Sequence, residues 1–459
     1  MLLRMQVKGF KNLRDVEIRF GPLTCFIGPN GVGKSNIFDA IHFLKALAEN
    51  DIQTAAQSVR SPSTGTFGPQ DLFFGGDISR PISFVVDLLV PRYVTDDFGR
   101  EAEPATTLLR YEVAFRYVDD EYPRLALIRE ELAPLSAGEA KATIGFDHNL
   151  EFRKAVVKTT RRKGKFISTK QDGGTAILTL HQDGGSRGQG ILPGRSPRTV
   201  VGGTNAAEYP TVLAARREMA SWRTLHLEPS VMRTPDKIGG PSQVDEHGGH
   251  VAAALARLVE NETTKGATLA EVSNSLALLV DDVEALEIDK DEARQQLSIV
   301  ARMKGCSRPL GPRALSDGTL RFLTLAVMEA DRQLATVLCM EEPENGMHPT
   351  RIPSIVNLLR ELSVSPEFDL DPENPMRQVI LNTHSPDVVK QLYADDVLFV
   401  ESVDARDGTF ARVCAVEGGW RRGGPLLPKR RLWDFIDGAP RGEGMLQLEL
   451  ELKNARDER

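Results

Sequence analysis

Near the start of the chain, Gly28-Pro29-Asn30-Gly31-Val32-Gly33-Lys34-Ser35 satisfies the pattern G-x-x-x-x-G-K-[ST]. Each residue type has a task around a phosphate. Glycines let the backbone wrap closely round the anion, and successive N–H groups at a helix N-terminus bind its charge. Lys34 is placed to reach the β/γ oxygens, Ser35 to ligate magnesium, and Asn36 continues the segment into the helix. The pattern means this only between a strand and a helix. Apolar Leu23 to Ile27 before it, and Ile37, Ile41, Leu44 and Leu47 at helical spacing after it, predict that context. A phosphate loop alone leaves GTPases, kinases, motors and ABC-type ATPases open.

The second cluster lies in the C-terminal half. Leu315-Ser316-Asp317-Gly318-Thr319-Leu320-Arg321 opens a predicted helix, with Ser316 placed to cap it and Asp317 in its first turn. An apolar strand then ends in Met340-Glu341-Glu342-Pro343-Glu344-Asn345-Gly346-Met347-His348-Pro349. Paired acids at a strand end suit magnesium and water chemistry, one carboxylate supporting the metal shell and the next polarising the attacking water. A further strand delivers Asn382-Thr383-His384-Ser385-Pro386 and so places a histidine at a neighbouring strand end. His384 either senses the γ-phosphate or simply caps and packs. Gln70, in a Pro/Gly-rich loop, is either a magnesium-sensing residue or a solvated one. Lys11 and Asn12 either approach the nucleotide or form a turn.

With these four motifs in this order, the chain resembles the ABC ATPase superfamily, in the RecF/SMC-like branch that includes the ATPase heads of OLD-family (overcoming lysogenisation defect) proteins. The opening Gly9-Phe10-Lys11-Asn12-Leu13 also looks like the branch's N-terminal strand pair. The resemblance covers about residues 1–50 and 310–400. It implies ATP and Mg2+ as cofactors, hydrolysis by in-line water attack, and a homodimer or higher homo-oligomer. In such an assembly Ser316 and Gly318 of one subunit meet the γ-phosphate held by residues 28–36 of the other. Glu341 and Ser35, with Gln70, would serve magnesium, and Glu342, His384 and Lys34 would carry the chemistry. Two departures stand out: Glu341 occupies the position usually held by Asp, and Asp317 and Thr319 stand where transporters have Gly and Gln, which disfavours a transporter subunit. OLD nucleases append a Toprim metal site. Val397 to Glu401 imitates its first element, but no D-x-D pair follows, so a nuclease is expected to be a separate polypeptide. The leading expectation is an ATP-driven switch regulating such an effector in bacterial anti-phage defence or DNA maintenance. The alternative is a RecF-like DNA-clamping repair ATPase.

The elements that must position these residues set the fold class: α/β, an ABC-type head with a mixed or parallel sheet, an N-terminal antiparallel β lobe, and a mixed β/helical insertion. Residues 1–135 form the first lobe, in which runs between Ile82 and Glu131 alternate as antiparallel hairpins. Residues 136–309 form the insertion, with a basic, Gly-rich part followed by a mostly helical part in which 267–286 reads as one helix. Residues 310–459 alternate helix and strand as βα units do. Between Arg153 and Lys170, eight basic residues occur without one acid, Phe166 being the sole aromatic. That run either tracks a nucleic-acid backbone or is a solvated loop.

The rest of the composition excludes classes. With 41% hydrophobic and 26% charged residues, disorder is excluded, and a formal charge of −7 gives no global signal for nucleic acid. Cys25, Cys306, Cys339 and Cys414 lack the spacing of a zinc site or a disulfide framework. No stretch approaches the roughly 18 apolar residues that span a bilayer, so no membrane partner and a cytoplasmic location are expected.

Overall fold

The computed structural model describes residues 1–60, 68–160, 164–172, 175–184, 189–261, 266–278, 280, 283–332, 334 and 337–437. Its first layer is an eight-stranded sheet. In chain order the strands are β1 (Leu2–Phe10), β2 (Leu13–Arg19), β4 (Ile82–Leu89), β5 (Leu108–Val118), β6 (Arg124–Pro134), β7 (Ile167–Asp172), β8 (Thr175–Leu180) and β9 (Gln189–Ile191), with β3 (Leu23–Ile27) leaving for a second sheet. The spatial order is β9-β8-β7-β6-β5-β4-β1-β2, antiparallel throughout. The hairpins expected between Ile82 and Glu131 are therefore present.

Helix α1 (Lys34–Glu49) lies beneath this sheet and buries Ile37, Ile41, Leu44 and Leu47. Phe10, Phe43, Phe84 and Phe115 pack there with ring centroids 5.4–5.9 Å apart, the range favoured by aromatic quadrupoles. On the other side of α1 runs the second sheet, ordered β10-β13-β14-β3-β15-β16 from strands β10 (Arg223–Leu225), β13 (Val337–Glu341), β14 (Gln378–Thr383), β15 (Val397–Ala405) and β16 (Gly408–Val416), with Leu426–Leu427 at its edge. β10, β13, β14, β3 and β15 are parallel, and β16 returns antiparallel to β15. Alternation along the central strand serves both faces: Phe26 joins the α1 core, while Leu23, Cys25 and Ile27 join the core on the far side. That far core includes α5 (Asp317–Ala330) and α6 (Ile352–Leu362), which follow α2 (Pro210–Ala220), α3 (Val251–Asn261) and α4 (Ala267–Ala277).

One expectation for residues 136–309 changes. The helix read over 267–286 ends at Ala277, and Val283–Asp291 (β11) pairs instead with Gln296–Met303 (β12) as a hairpin joined by Asp236–Lys237. Val283, Leu286 and Ile299 go into the core, so tertiary pairing overrides a sequence whose apolar spacing also suits a helix. Elsewhere in the same segment, β7–β9 extend the antiparallel sheet and β10 extends the parallel one. Among the described residues no helix is long and apolar enough to cross a membrane.

Candidate functional site

Ligands of open α/β sheets gather at the carboxyl ends of the parallel strands, and that is where the predicted residues converge. Register pairs Thr383 with Ile27, Glu341 with Asn382, and Phe399 with Ile27, so the ends of β3, β13, β14 and β15 are level. From β3 the chain turns through residues 28–33 into α1. Gly28 has φ 144°, and a Cβ there would lie 2.2 Å from the Val400 carbonyl oxygen. Gly33 caps α1 at φ 105°, with the Asn12 side chain 2.2 Å from where its Cβ would be. At Gly28 the neighbouring backbone excludes any other residue, and at Gly33 a side chain would strain the left-handed backbone and displace the Asn12 amide. Pro29, Asn30 and Gly31 are exposed and Val32 is buried. Asn12 donates to the Val32 carbonyl (3.1 Å) and accepts from Asn36 (2.7 Å), so the turn holding Lys11 and Asn12 also braces the loop.

The buried Lys34 ammonium donates to the carbonyls of Gly28 (2.6 Å) and Pro29 (2.8 Å). Burial lowers its pKa from the usual lysine value, with Glu342 acting in the opposite sense. A cleft of about 550 Å³ opens beside it, lined by Lys11, Asn12, Ser35, Asn36, Arg60 and Gln70 among others. Gln70 sits in a short 3-10 turn, exposed, on the same cleft as Ser35.

The paired acids part company at the end of β13. Glu341 accepts both arms of the Arg60 guanidinium, Nη2 to Oε1 at 2.8 Å and Nη1 to Oε2 at 3.1 Å. Arg60 Nη2 also donates to the Ser35 carbonyl at 3.0 Å, so the Ser35 carbonyl and the Glu341 carboxylate each lie one hydrogen-bond length from the same nitrogen. This corner already holds a cation on hard oxygen donors. Its donor set fits magnesium, which needs one or two carboxylates and takes its remaining ligands from phosphates and water. No cluster of three or more His, Cys, Asp or Glu exists among the described residues to suggest a different metal.

Glu342 turns the other way on a left-handed backbone, φ 47°, an uncommon conformation for a non-glycine residue that is stored at functional sites. Its N–H bonds the Asn382 carbonyl (3.0 Å), its Oε1 lies 2.7 Å from His384 Nδ1, and its Oε2 accepts from Asn345 Nδ2 at 2.8 Å. The carboxylate can only accept, so Nδ1 carries the proton in that contact. Behind them the buried Glu344 accepts from the Thr383 hydroxyl, which accepts in turn from the Ser385 N–H (2.8 Å) and fixes the turn carrying His384. Burial raises the Glu344 pKa, opposed by the Thr383 bond.

Ser316 caps α5 by accepting from Thr319 N (3.2 Å) and is exposed together with Asp317. Gly318 is buried, its Cα facing Gly346 and Met347, so the outward face of this motif is Ser316 and Asp317. Arg233 holds Asp317 at 2.6 Å.

Of the basic run, Arg161, Arg162 and Lys163 lie outside the described residues. Lys154 pairs with Glu151 (2.8 Å), Lys158 with Glu103 (2.8 Å) and Lys165 with Glu131. Phe166, the one aromatic available for stacking, is wholly buried in the core beneath the sheet, so a base cannot stack on it. Glu401, at the imitation Toprim strand, is held by Arg412 (2.6 Å) and Arg431 (3.3 Å). Arg60, Asn345 and Glu344 were not legible as site residues. Asn345 and Glu344 stood inside the quoted acidic motif, but nothing local marks Arg60.

The family model described as "AAA domain, putative AbiEii toxin, Type IV TA system" matches residues 23–142 and 251–390. The OLD nuclease of Thermus scotoductus is 40% identical over 99 residues, 22% of this chain and 16% of that protein. The DNA replication and repair protein RecF of Bacteroides thetaiotaomicron is 39% identical over 61 residues, 13% of this chain and 16% of that protein. The matches thus span about a sixth of the length of these relatives. Among solved structures, an SMC head bound to the C-winged helix domain of ScpA overlays 91% of this chain and 98% of that one, at 15% identity and a TM-score of 0.47.

Proposed function

The chain belongs to that AAA-domain family, as an ABC-type ATPase of the RecF, SMC and OLD branch, and we propose that it binds ATP with magnesium and hydrolyses it as a conformational switch. One observation carries the reading: a P-loop, a strand-end acid pair and a histidine meet at the level ends of adjacent parallel strands, with Glu342 held 2.7 Å from His384. On this reading residues 28–36 and Lys34 cradle the phosphates. Magnesium would neutralise developing charge on the β and γ oxygens, with Ser35, Glu341 and Gln70 as its protein side. Glu342 orients or deprotonates the attacking water, and His384, on the same carboxylate, reports the γ-phosphate. Lys34 leaves its two carbonyl partners to follow the phosphates.

Two heads would share each nucleotide, the exposed Ser316 and the backbone near Gly318 of one completing the site of the other. Glu342→Gln should keep ATP binding, slow hydrolysis and shift the protein towards a dimer in light scattering with ATP and magnesium but not with ADP. Adding Ser316→Arg should reverse that shift, because a bulky cation obstructs the partner's γ-phosphate while leaving the subunit's own P-loop untouched. An assembly state indifferent to nucleotide in both variants, or a fully active monomer, rules out the shared site.

The output of the switch is read as control of a separate effector nuclease in a cytoplasmic anti-phage or DNA-maintenance system. The family description and the local match to an OLD nuclease support it. A second reading, direct DNA clamping without an effector, is favoured by the local match to RecF. Salt-dependent DNA binding that is lost when Arg161, Arg162, Lys163 and Lys165 become Gln would support the clamp and a nucleic-acid role for Arg153 to Lys170.

A further inference from the structure

One charged side chain at the strand ends has no part in the scheme above. The Arg60 guanidinium spends its Nη1 and Nη2 edge on Glu341 and Nη2 also on the Ser35 carbonyl, while its Nε donates to Asp39 Oδ1 at 2.8 Å. Asp39, one helical turn beyond Ser35, is nearly buried and is held on its other oxygen by Lys11 at 2.6 Å. Lys11 also donates to the Arg60 carbonyl at 2.5 Å. Burial opposes the charge on Arg60, but Glu341 and Asp39 together raise its pKa, so it is a permanent cation.

We propose that Arg60 is the cation magnesium must displace: it competes with the metal for Glu341, and so sets how much magnesium the nucleotide site requires. The proposal rests on the reading of this corner as a nucleotide and metal site. Two features of the geometry make Arg60 a competitor rather than a static brace. Its two edges are separately anchored, so giving up Glu341 leaves Nε on Asp39 and no orphaned charge. Asp39 in turn keeps Lys11 whichever way Arg60 moves. The residue type at position 341 belongs to the same device. Glutamate carries the carboxylate roughly 1.5 Å further from the strand than aspartate would, one C–C bond, and that reach is what lets both oxygens meet the guanidinium fork. The bidentate pairing is specific to arginine, because an ammonium offers a point charge in its place.

The test is a binding measurement that needs no turnover. Fluorescently labelled ATP is titrated against the full chain in EDTA, and magnesium is then titrated at fixed nucleotide, with wild type, Arg60→Gln and Arg60→Lys compared. Arg60→Gln should lower the magnesium concentration for half-effect about fivefold, the weight of one partly exposed ion pair, and leave affinity in EDTA unchanged. Arg60→Lys should fall between the two, since it keeps the charge and loses the fork. An unchanged magnesium midpoint in both variants overturns the competition. Weaker ATP binding in EDTA by Arg60→Gln also overturns it, by making Arg60 a phosphate contact. Wild type that fails to bind ATP in either condition instead sinks the nucleotide reading on which the proposal stands.

Discussion

Glu341 and Glu342 are neighbours in sequence, yet the fold treats them in opposite ways. Glu341 stays in register on β13 and meets a permanent cation through two oxygens. Glu342 is swung out on a left-handed backbone and meets a titratable ring on one oxygen and a neutral amide on the other. On the proposed reading the two-residue motif divides labour: the first acid, in register on β13, serves charge, and the second, turned out on a left-handed backbone, serves proton transfer.

The division can be broken most severely at Glu342. Glu342→Gln should cut kcat by about 10²–10⁴ with the magnesium midpoint unchanged, whereas Glu341→Gln should move that midpoint; phosphate release and nucleotide binding read the two effects. If both variants change the same parameter, the two acids are not functionally distinct. A third acid, remote from the site, sharpens the contrast. Glu130 on β6 is fully buried and, among the described residues, pairs with no cation, accepting from the N–H groups of Val200 (2.6 Å) and Val201 (2.8 Å) and from the Tyr111 hydroxyl (3.1 Å). Burial raises its pKa to about 7, against the partial opposition of those bonds. An acid whose folded pKa lies above its unfolded value of 4.5 contributes stability that is complete below that value and lost as pH rises through about 7. The loss amounts to about 3 kcal/mol. Glu130→Gln should flatten that decline in urea midpoints measured between pH 5 and 8, and parallel declines in the two proteins would clear Glu130 of the effect. The smallest effect is expected from Asn345→Ala. Freeing one oxygen of Glu342 removes a bond of about 1 kcal/mol, so kcat should change about fivefold without any shift in magnesium dependence. No change in kcat would make the amide contact incidental.

The legibility of these features follows the range of the forces behind them. The P-loop was readable because its glycine requirements arise within a few residues, and the apolar spacing of α1 and α5 because helices repeat locally. The strand-end acids and His384 were readable as motifs, but their 2.7 Å contact was not, since it depends on β13 and β14 lying side by side. Arg60 was invisible because its partners are Asp39 and Glu341, the second 281 positions away, and no pattern in the intervening chain announces the pairing. The β11–β12 hairpin was not legible because Val283 and Leu286, three residues apart, continue the helical spacing of 267–286, while a register shift between Val283 and Ala285 lets both face the core from a strand. The burial of Phe166 was not legible in its basic surroundings, because the core it enters is assembled largely from residues distant in sequence.

The central position of β3 has a consequence in the order of events during synthesis. The strand that launches the P-loop is flanked by β14 and β15, so it pairs only with residues made more than three hundred positions later. An emerging chain therefore carries a complete phosphate-binding sequence long before it has a phosphate-binding loop, since Gly28 and Gly33 take their shape from a neighbour strand and the Asn12 turn together. Pairings of such sequence separation form slowly. A ribosome-bound fragment ending before residue 378 should not retain labelled ATP, and release of the longer chain should bring binding on with a lag set by strand insertion rather than by diffusion of the nucleotide.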